Sequence, residues 1–104
     1  IVIYDPQQAK QVHFLKNGTG NTIITVQYSS DGKFLAVGEK GKNPSTFIWK
    51  LTNRRKPFII SKLTSHRYGI RNIAFSEGNS IVMTCGEHDT TVCIWNISHC
   101  LSKK

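Results

Sequence analysis

Side chains of metal-ligand type crowd the end of the chain, among them His88, Cys93, His99 and Cys100. Zinc sites draw on such residues, but they take them from short pairs such as C-x-x-C or H-x-x-x-H, and neither spacing occurs here. Cys85 and Cys93 instead fall in alternating apolar runs, the setting of a structural strand cysteine. A Cys–His nucleophile would need a free imidazole beside the thiol, and His66 has a structural role open to it. The chain holds only six Asp and Glu, most of them in turns such as Asp31-Gly32 and the turn carrying Asp89, so a paired acid and base is not expected. The string Gly38-Glu39-Lys40-Gly41-Lys42 has glycine and lysine but lacks the spacing and following helix of a phosphate-binding loop. It reads as a hairpin insertion. The residues therefore predict no catalytic centre, no cofactor and no metal.

Charge is the surface property that carries information. Fourteen Lys and Arg against six acids give a formal net charge of +8 and a pI near 9.7. Such a balance attracts nucleic acid, anionic membranes or acidic protein tails. The basic residues are not interleaved with aromatics as a base-stacking platform requires, which ranks nucleic acid below protein as a partner. No apolar run approaches the length of a transmembrane helix, and no membrane partner is expected. Three cysteines without framework spacing favour reduced thiols, and hence a cytoplasmic setting.

The elements that position these residues come in copies. Residues 22–51 recur as residues 69–97: Ile23 matches Ile70, Val26 matches Ile73 and Tyr28 matches Phe75, each 47 residues apart. Gly38-Glu39 aligns with Gly86-Glu87 at 48, and Ile48-Trp49 with Ile94-Trp95 at 46, as though one residue were added before the Gly-Glu pair and two lost after it. A partial third copy opens the chain, where 1–5 aligns with 92–96. Short apolar runs of period two, punctuated by Asn17-Gly18, Ser30-Asp31-Gly32, Gly41–Ser45 and Glu77–Ser80, predict strands and turns. Nothing shows helical periodicity over three turns. About four strands fit each period, and a repeat of this length that cannot bury its own apolar face must stack on its neighbours.

The second copy contains Leu63-Thr-Ser-His66, Ile73-Ala-Phe-Ser76, Cys85-Gly86-Glu-His-Asp89 and Thr91-Val-Cys-Ile-Trp95-Asn96. It resembles a WD repeat, with the signature dipeptide degraded to Tyr4-Asp5, Trp49-Lys50 and Trp95-Asn96. The resemblance implies a hydrogen-bonded network of His, Ser or Thr, Asp and Trp that pins each blade. His66, Asp89 and Trp95 match it, and Cys85 is placed at the Ser/Thr position, so the network is expected to be incomplete. In the first copy Trp49 is matched, but the histidine position reads 16–20 and no Asp precedes Trp49. That blade is expected to be held by packing and its ladder alone. Gly38–Pro44, His66–Ile70 and Gly86–Asp89 further resemble WD-repeat scaffolds that bind mitogen-activated kinases and sit at spindle poles, and microtubule-associated and ciliary WD-repeat proteins.

The expected fold is all-β, with consecutive four-stranded antiparallel blades of a partial WD-repeat β-propeller and about nine strands. Strands are expected at 1–4, 11–15, 22–29, 33–39, 46–51, 57–63, 69–76, 80–86 and 91–97. Residues 1–15 would be outer strands of one blade, 16–63 a complete blade and 64–104 most of the next, within a longer propeller. In that architecture Lys16, Lys40, Lys42, Arg67 and Arg71 gather on one rim, and Lys33, Arg54, Arg55 and Lys56 on the other. The first rim, represented by Lys40, Lys42, Arg67 and Arg71, is the expected contact face. The resemblance implies a non-catalytic scaffold in the cytoplasm, associated with the cytoskeleton at a centrosome, spindle pole or cilium. Its candidate partners are tubulin, microtubule-associated proteins or kinases. A basic module binding nucleic acid, or a propeller attached to an enzyme domain, is the alternative.

Overall fold

The computed structural model describes residues 2–5, 10–14, 18–51 and 56–102. The nine predicted strands form within one residue of their expected bounds: β1 Val2–Asp5, β2 Lys10–Phe14, β3 Thr22–Tyr28, β4 Phe34–Lys40, β5 Thr46–Lys50, β6 Phe58–Leu63, β7 Ile70–Phe75, β8 Ile81–Gly86 and β9 Val92–Asn96. A single 3₁₀ turn, Ser98–Cys100, follows β9. The strands pair antiparallel in chain order as sheets of two, four and three, β1-β2, β3-β4-β5-β6 and β7-β8-β9. The chain is all-β and consists of propeller blades.

Short turn chemistry explains the meander. In the β3–β4 turn the Gly32 amide bonds the Ser29 carbonyl, and in the β7–β8 turn the Asn79 amide bonds the Ser76 carbonyl. Gly32 (φ 73°) and Asn79 (φ 68°) hold equivalent left-handed positions, which glycine adopts freely and asparagine tolerates. The Ser29 and Ser76 hydroxyls each accept a hydrogen bond from the first amide of the next strand, Phe34 and Ile81.

Strand alternation divides each sheet into two faces. On the four-stranded sheet Leu35, Val37, Phe47 and Trp49 form one buried face, while Phe34, Ala36, Ile48 and Ile60 lie on the other. The second face meets Ile73, Val82 and Trp95 of the three-stranded sheet, and this seam is the main core. Ala36 and Ile48 are fully buried at 0% exposure, whereas their repeat equivalents on the far face of β8 and β9, Met83 and Ile94, are 40% and 72% exposed.

The pairing also resolves the repeat alignment. Glu39 sits opposite Ile23, and Gly86 sits opposite Ile70; Ala36 sits opposite Gln27, and Met83 opposite Ala74. β4 and β8 are therefore offset by 47, as β3 and β7 are, and the one-residue insertion expected before the Gly-Glu pair does not exist. Glu39 is the counterpart of Gly86, not of Glu87. The similarity of the Gly-Glu dipeptides is coincidental, because ladder register follows the strand faces rather than local identity.

Candidate interaction site and the networks beneath it

A chain of polar contacts runs through the three-stranded sheet and ends at the rim. The Trp95 indole N–H donates to Thr84 Oγ1 at 3.0 Å, and Thr84 Oγ1 lies 2.9 Å from His66 Nε2. His66 Nδ1 lies 3.1 Å from Asp89 Oδ2 and 3.0 Å from Thr91 Oγ1. One donor order satisfies every atom: Trp95 N–H to Thr84, Thr84 O–H to Nε2, and Nδ1–H toward Asp89 and Thr91. Asp89 also accepts from the Thr91 hydroxyl at 2.7 Å and the Thr91 amide at 3.0 Å. The Thr91 hydroxyl does most to hold the Asp89 carboxyl far below the ordinary aspartate value of 3.8. The Thr91 amide, His66 and the Arg67 amide add to it, and partial desolvation works against them.

The hydroxyl position of this network belongs to Thr84, not to Cys85 as the motif implies. Thr84 shares its strand face with Val82 and is 1% exposed, turned into the seam between the sheets. Cys85 is one residue on, so its side chain points to the opposite face with Met83. The network is complete.

The four-stranded sheet carries a second network that the motif does not reveal. Glu39 is 0% exposed. Its carboxylate accepts from the Thr19 hydroxyl, from Asn21 Nδ2 at 3.3 Å and from the Ser45 amide at 3.2 Å. Thr19 is the repeat equivalent of His66, and Ser45 that of Thr91, whose amide bonds Asp89 in the same way. The four-stranded blade is thus pinned by a buried carboxylate rather than by packing and ladder alone. Trp49 lies on the same sheet face as Glu39, with Leu35, Val37 and Phe47, as alternation along β4 requires.

These networks fix the turns at one rim. The Gly41 amide bonds the Tyr68 carbonyl, and the Glu87 amide bonds the Gly69 carbonyl. The β4–β5 turn, the β6–β7 loop and the β8–β9 turn therefore meet. Lys40 pairs across the seam with Glu87 at 3.4 Å, and His88 lies 3.3 Å from the same carboxylate. Lys42 is exposed, and its carbonyl accepts from Asn21. Arg71 is exposed at the bulge that opens β7. Arg67 is exposed, its backbone amide 3.4 Å from Asp89, and among the described residues no ion pair engages its guanidinium. Ser65, Arg67, Tyr68, His88, Asp89 and Thr91 line a cleft of about 360 Å³. Lys16, Arg54 and Arg55 lie outside the described residues. At the opposite rim Asn79 Nδ2 donates to Asp31 at 2.8 Å, joining the two sheets there. Among the described residues no three His, Cys, Asp or Glu side chains gather as metal ligands.

Residues 58–96 match the family described as WD domain, G-beta repeat. The chain is 34% identical over 70 residues to mouse mitogen-activated protein kinase-binding protein 1, and 30% identical over 70 residues to pig WD repeat-containing protein 62. Each alignment covers 67% of this chain and 4% of the relative. It is also 30% identical over 77 residues to polyadenylation factor subunit 2 of Candida albicans, covering 74% of this chain and 13% of that protein. The consecutive antiparallel sheets, the Trp95–Thr84–His66–Asp89 network and the matched repeat make this chain a member of the WD-repeat family.

Proposed function

We propose that the chain contributes blades to a non-catalytic protein-interaction scaffold, and that its contact face is the rim carrying Lys40, Lys42, Arg67 and Arg71. The observation that carries this reading is the convergence of three turns at that rim. The buried strand side chains form the core and the networks, while the turns are held rigidly and present exposed cations, the usual division between scaffold and binding loops. In the assembled protein a further blade would cover the exposed Met83–Ile94 face, as the three-stranded sheet covers Ala36 and Ile48.

For the partner, we favour acidic protein surfaces on microtubule-based structures such as spindle poles, centrioles or axonemes, or kinases scaffolded there. The net charge of +8 supports an acidic partner, and the name of the mouse relative supports a kinase. Exposed ion pairs contribute only about 0.2–1 kcal/mol each, so binding is multivalent and weakens as salt shortens the screening length. A second reading, nucleic-acid association, draws on the same charge and on the name of the polyadenylation relative. Cosedimentation of the intact protein with microtubules, with and without their acidic tails, against duplex DNA and RNA separates the two. Binding that ignores tail removal and survives reversal of the four rim charges rejects the electrostatic contact; preference for nucleic acid rejects the microtubule partner.

A further inference from the structure

We infer that the cleft between the β6–β7 loop and the β8–β9 turn is a docking site for a glutamate side chain of an acidic peptide, held by Arg67 against Tyr68 and His88. The inference rests on the scaffold reading, and it names a specific recognition point within the rim. Three features define the occupant. Arg67 brings an exposed guanidinium with no carboxylate partner among the described residues, and its planar fork matches a carboxylate bidentately. Tyr68 is 51% exposed and meets His88 edge to face, with ring centroids 6.4 Å apart. The pair forms an aromatic wall on which the methylene stem of a long acidic side chain can lie.

The third feature selects between anions. Asp89 lines the cleft, yet its carboxylate already receives the Thr91 hydroxyl and amide, the His66 ring and the Arg67 amide. Those donors keep it ionised and leave little capacity for a further contact. Asp89 opposes Arg67 in the cleft lining, so the second charge of a phosphate dianion gains attraction and repulsion together and adds no net affinity over a monoanionic carboxylate. Neighbouring cations do not fill the gap, since Lys40 is already paired with Glu87 across the seam. Backbone strain supports the arrangement: His88 and Thr90 flank Asp89 at φ 66° and 56°. A β-branched residue adopts that conformation only when its surroundings over-determine it. The β8–β9 turn therefore holds His88 outward, beside Tyr68, while Asp89 turns inward.

The test is fluorescence anisotropy on the full-length protein with a short labelled glutamate-rich peptide, and with the same peptide carrying phosphoserine at its central position. Arg67 projects from the surface, so its truncation leaves folding intact. Arg67→Ala is expected to weaken the glutamate peptide about tenfold, Arg67→Lys by less, and Arg71→Ala by no more than about twofold. The phosphoserine peptide is expected to bind no tighter than the glutamate peptide. Equal losses from Arg67→Ala and Arg71→Ala, tighter binding of the phosphopeptide, or no saturable binding would each overturn the proposal. If peptide binding and its Arg67 dependence hold while microtubule cosedimentation fails, the partner reading falls and the cleft stands. If cosedimentation depends on the rim but is indifferent to Arg67, the cleft falls alone.

Discussion

Glu39 and Asp89 deliver carboxylates to equivalent places in successive blades from different elements. Glu39 reaches inward from the end of β4, whereas Asp89 folds back from the β8–β9 turn over Gly86, the residue equivalent to Glu39. A Cβ built on Gly86 would stand 2.0 Å from Asp89 Oδ1 and 2.4 Å from His66 Nδ1. Glycine at 86 is what leaves room for the turn aspartate, and an acid at 39 makes one unnecessary. The two solutions are alternatives, each excluding the other by volume.

That exclusion predicts coupling. Gly86→Ala forces a methyl group into the Asp89 carboxylate and should destabilise by about 1–3 kcal/mol, as overpacking does. Gly86→Glu combined with Asp89→Gly converts the second blade to the arrangement of the first. The double variant should be more stable than Gly86→Glu alone in chemical denaturation of the intact propeller. Strict additivity of the two substitutions would count against shared space.

Thr84 and Cys85 offer a direct comparison. Thr84→Val keeps the shape but strands the Trp95 N–H and His66 Nε2, and should cost about 1–3 kcal/mol. Cys85→Ser lies outside the network and should change stability by less than about 0.5 kcal/mol. Urea midpoints of the two variants decide the matter; a larger loss from Cys85→Ser would restore cysteine to the network.

Glu39→Ala leaves the Ser45 amide and the Thr19 and Asn21 donors without their acceptor. The expected loss is about 2–4 kcal/mol. Glu39→Gln keeps one acceptor oxygen and should recover part of it. Equal stability of Glu39→Ala and the parent would show that this blade does stand on packing alone.

Acid should act through Asp89. Its folded-state pKa is depressed, so the stabilisation is fully present above the ordinary value of 3.8 and fades as pH falls below it toward the folded value. Asp31 shifts in the same direction, chiefly through the Lys33 amide and then the Ser29 hydroxyl, and so reinforces the trend. Thermal midpoints measured from pH 5 downward should fall below about pH 4, and Asp89→Asn should flatten that dependence. An unchanged acid limb in Asp89→Asn would assign it to other carboxylates.

The strands were readable because alternation and turn residues agree at every step, from Ser30-Asp31-Gly32 to Glu77–Ser80. The networks were less so. Thr84 and Cys85 are adjacent hydrogen-bonding residues, and only the face each presents distinguishes them. β8 is regular through both, and which of its faces meets the neighbouring sheet is a tertiary relation that no residue type announces. Glu39 closes the strand expected at 33–39 and opens the hairpin insertion, where a glutamate among lysines and glycines is normally solvated. Its burial depends on Thr19 and Asn21, 20 and 18 residues away, a relation that composition does not encode. The rim charges Lys40, Lys42, Arg67 and Arg71 could be assigned to elements from sequence. The Lys40–Glu87 pair joins two sheets and depends on how they meet, which the sequence does not show.

The seam between the two larger sheets also imposes an order in time. Ala36, Ile48 and Ile60 finish their own ladder within β3–β6, but the residues that cover them, Ile73, Val82 and Trp95, lie one repeat further along. At a synthesis rate of about 5–20 residues per second, the stretch from the end of β6 at Leu63 to the end of β9 at Asn96 takes roughly 2–7 s to appear. During that interval a folded blade presents an apolar sheet face to the ribosome surface and its surroundings. The nascent chain is then most exposed to chaperone capture, and a pause in translation within β7–β9 would lengthen that exposure more than the same pause within β3–β6.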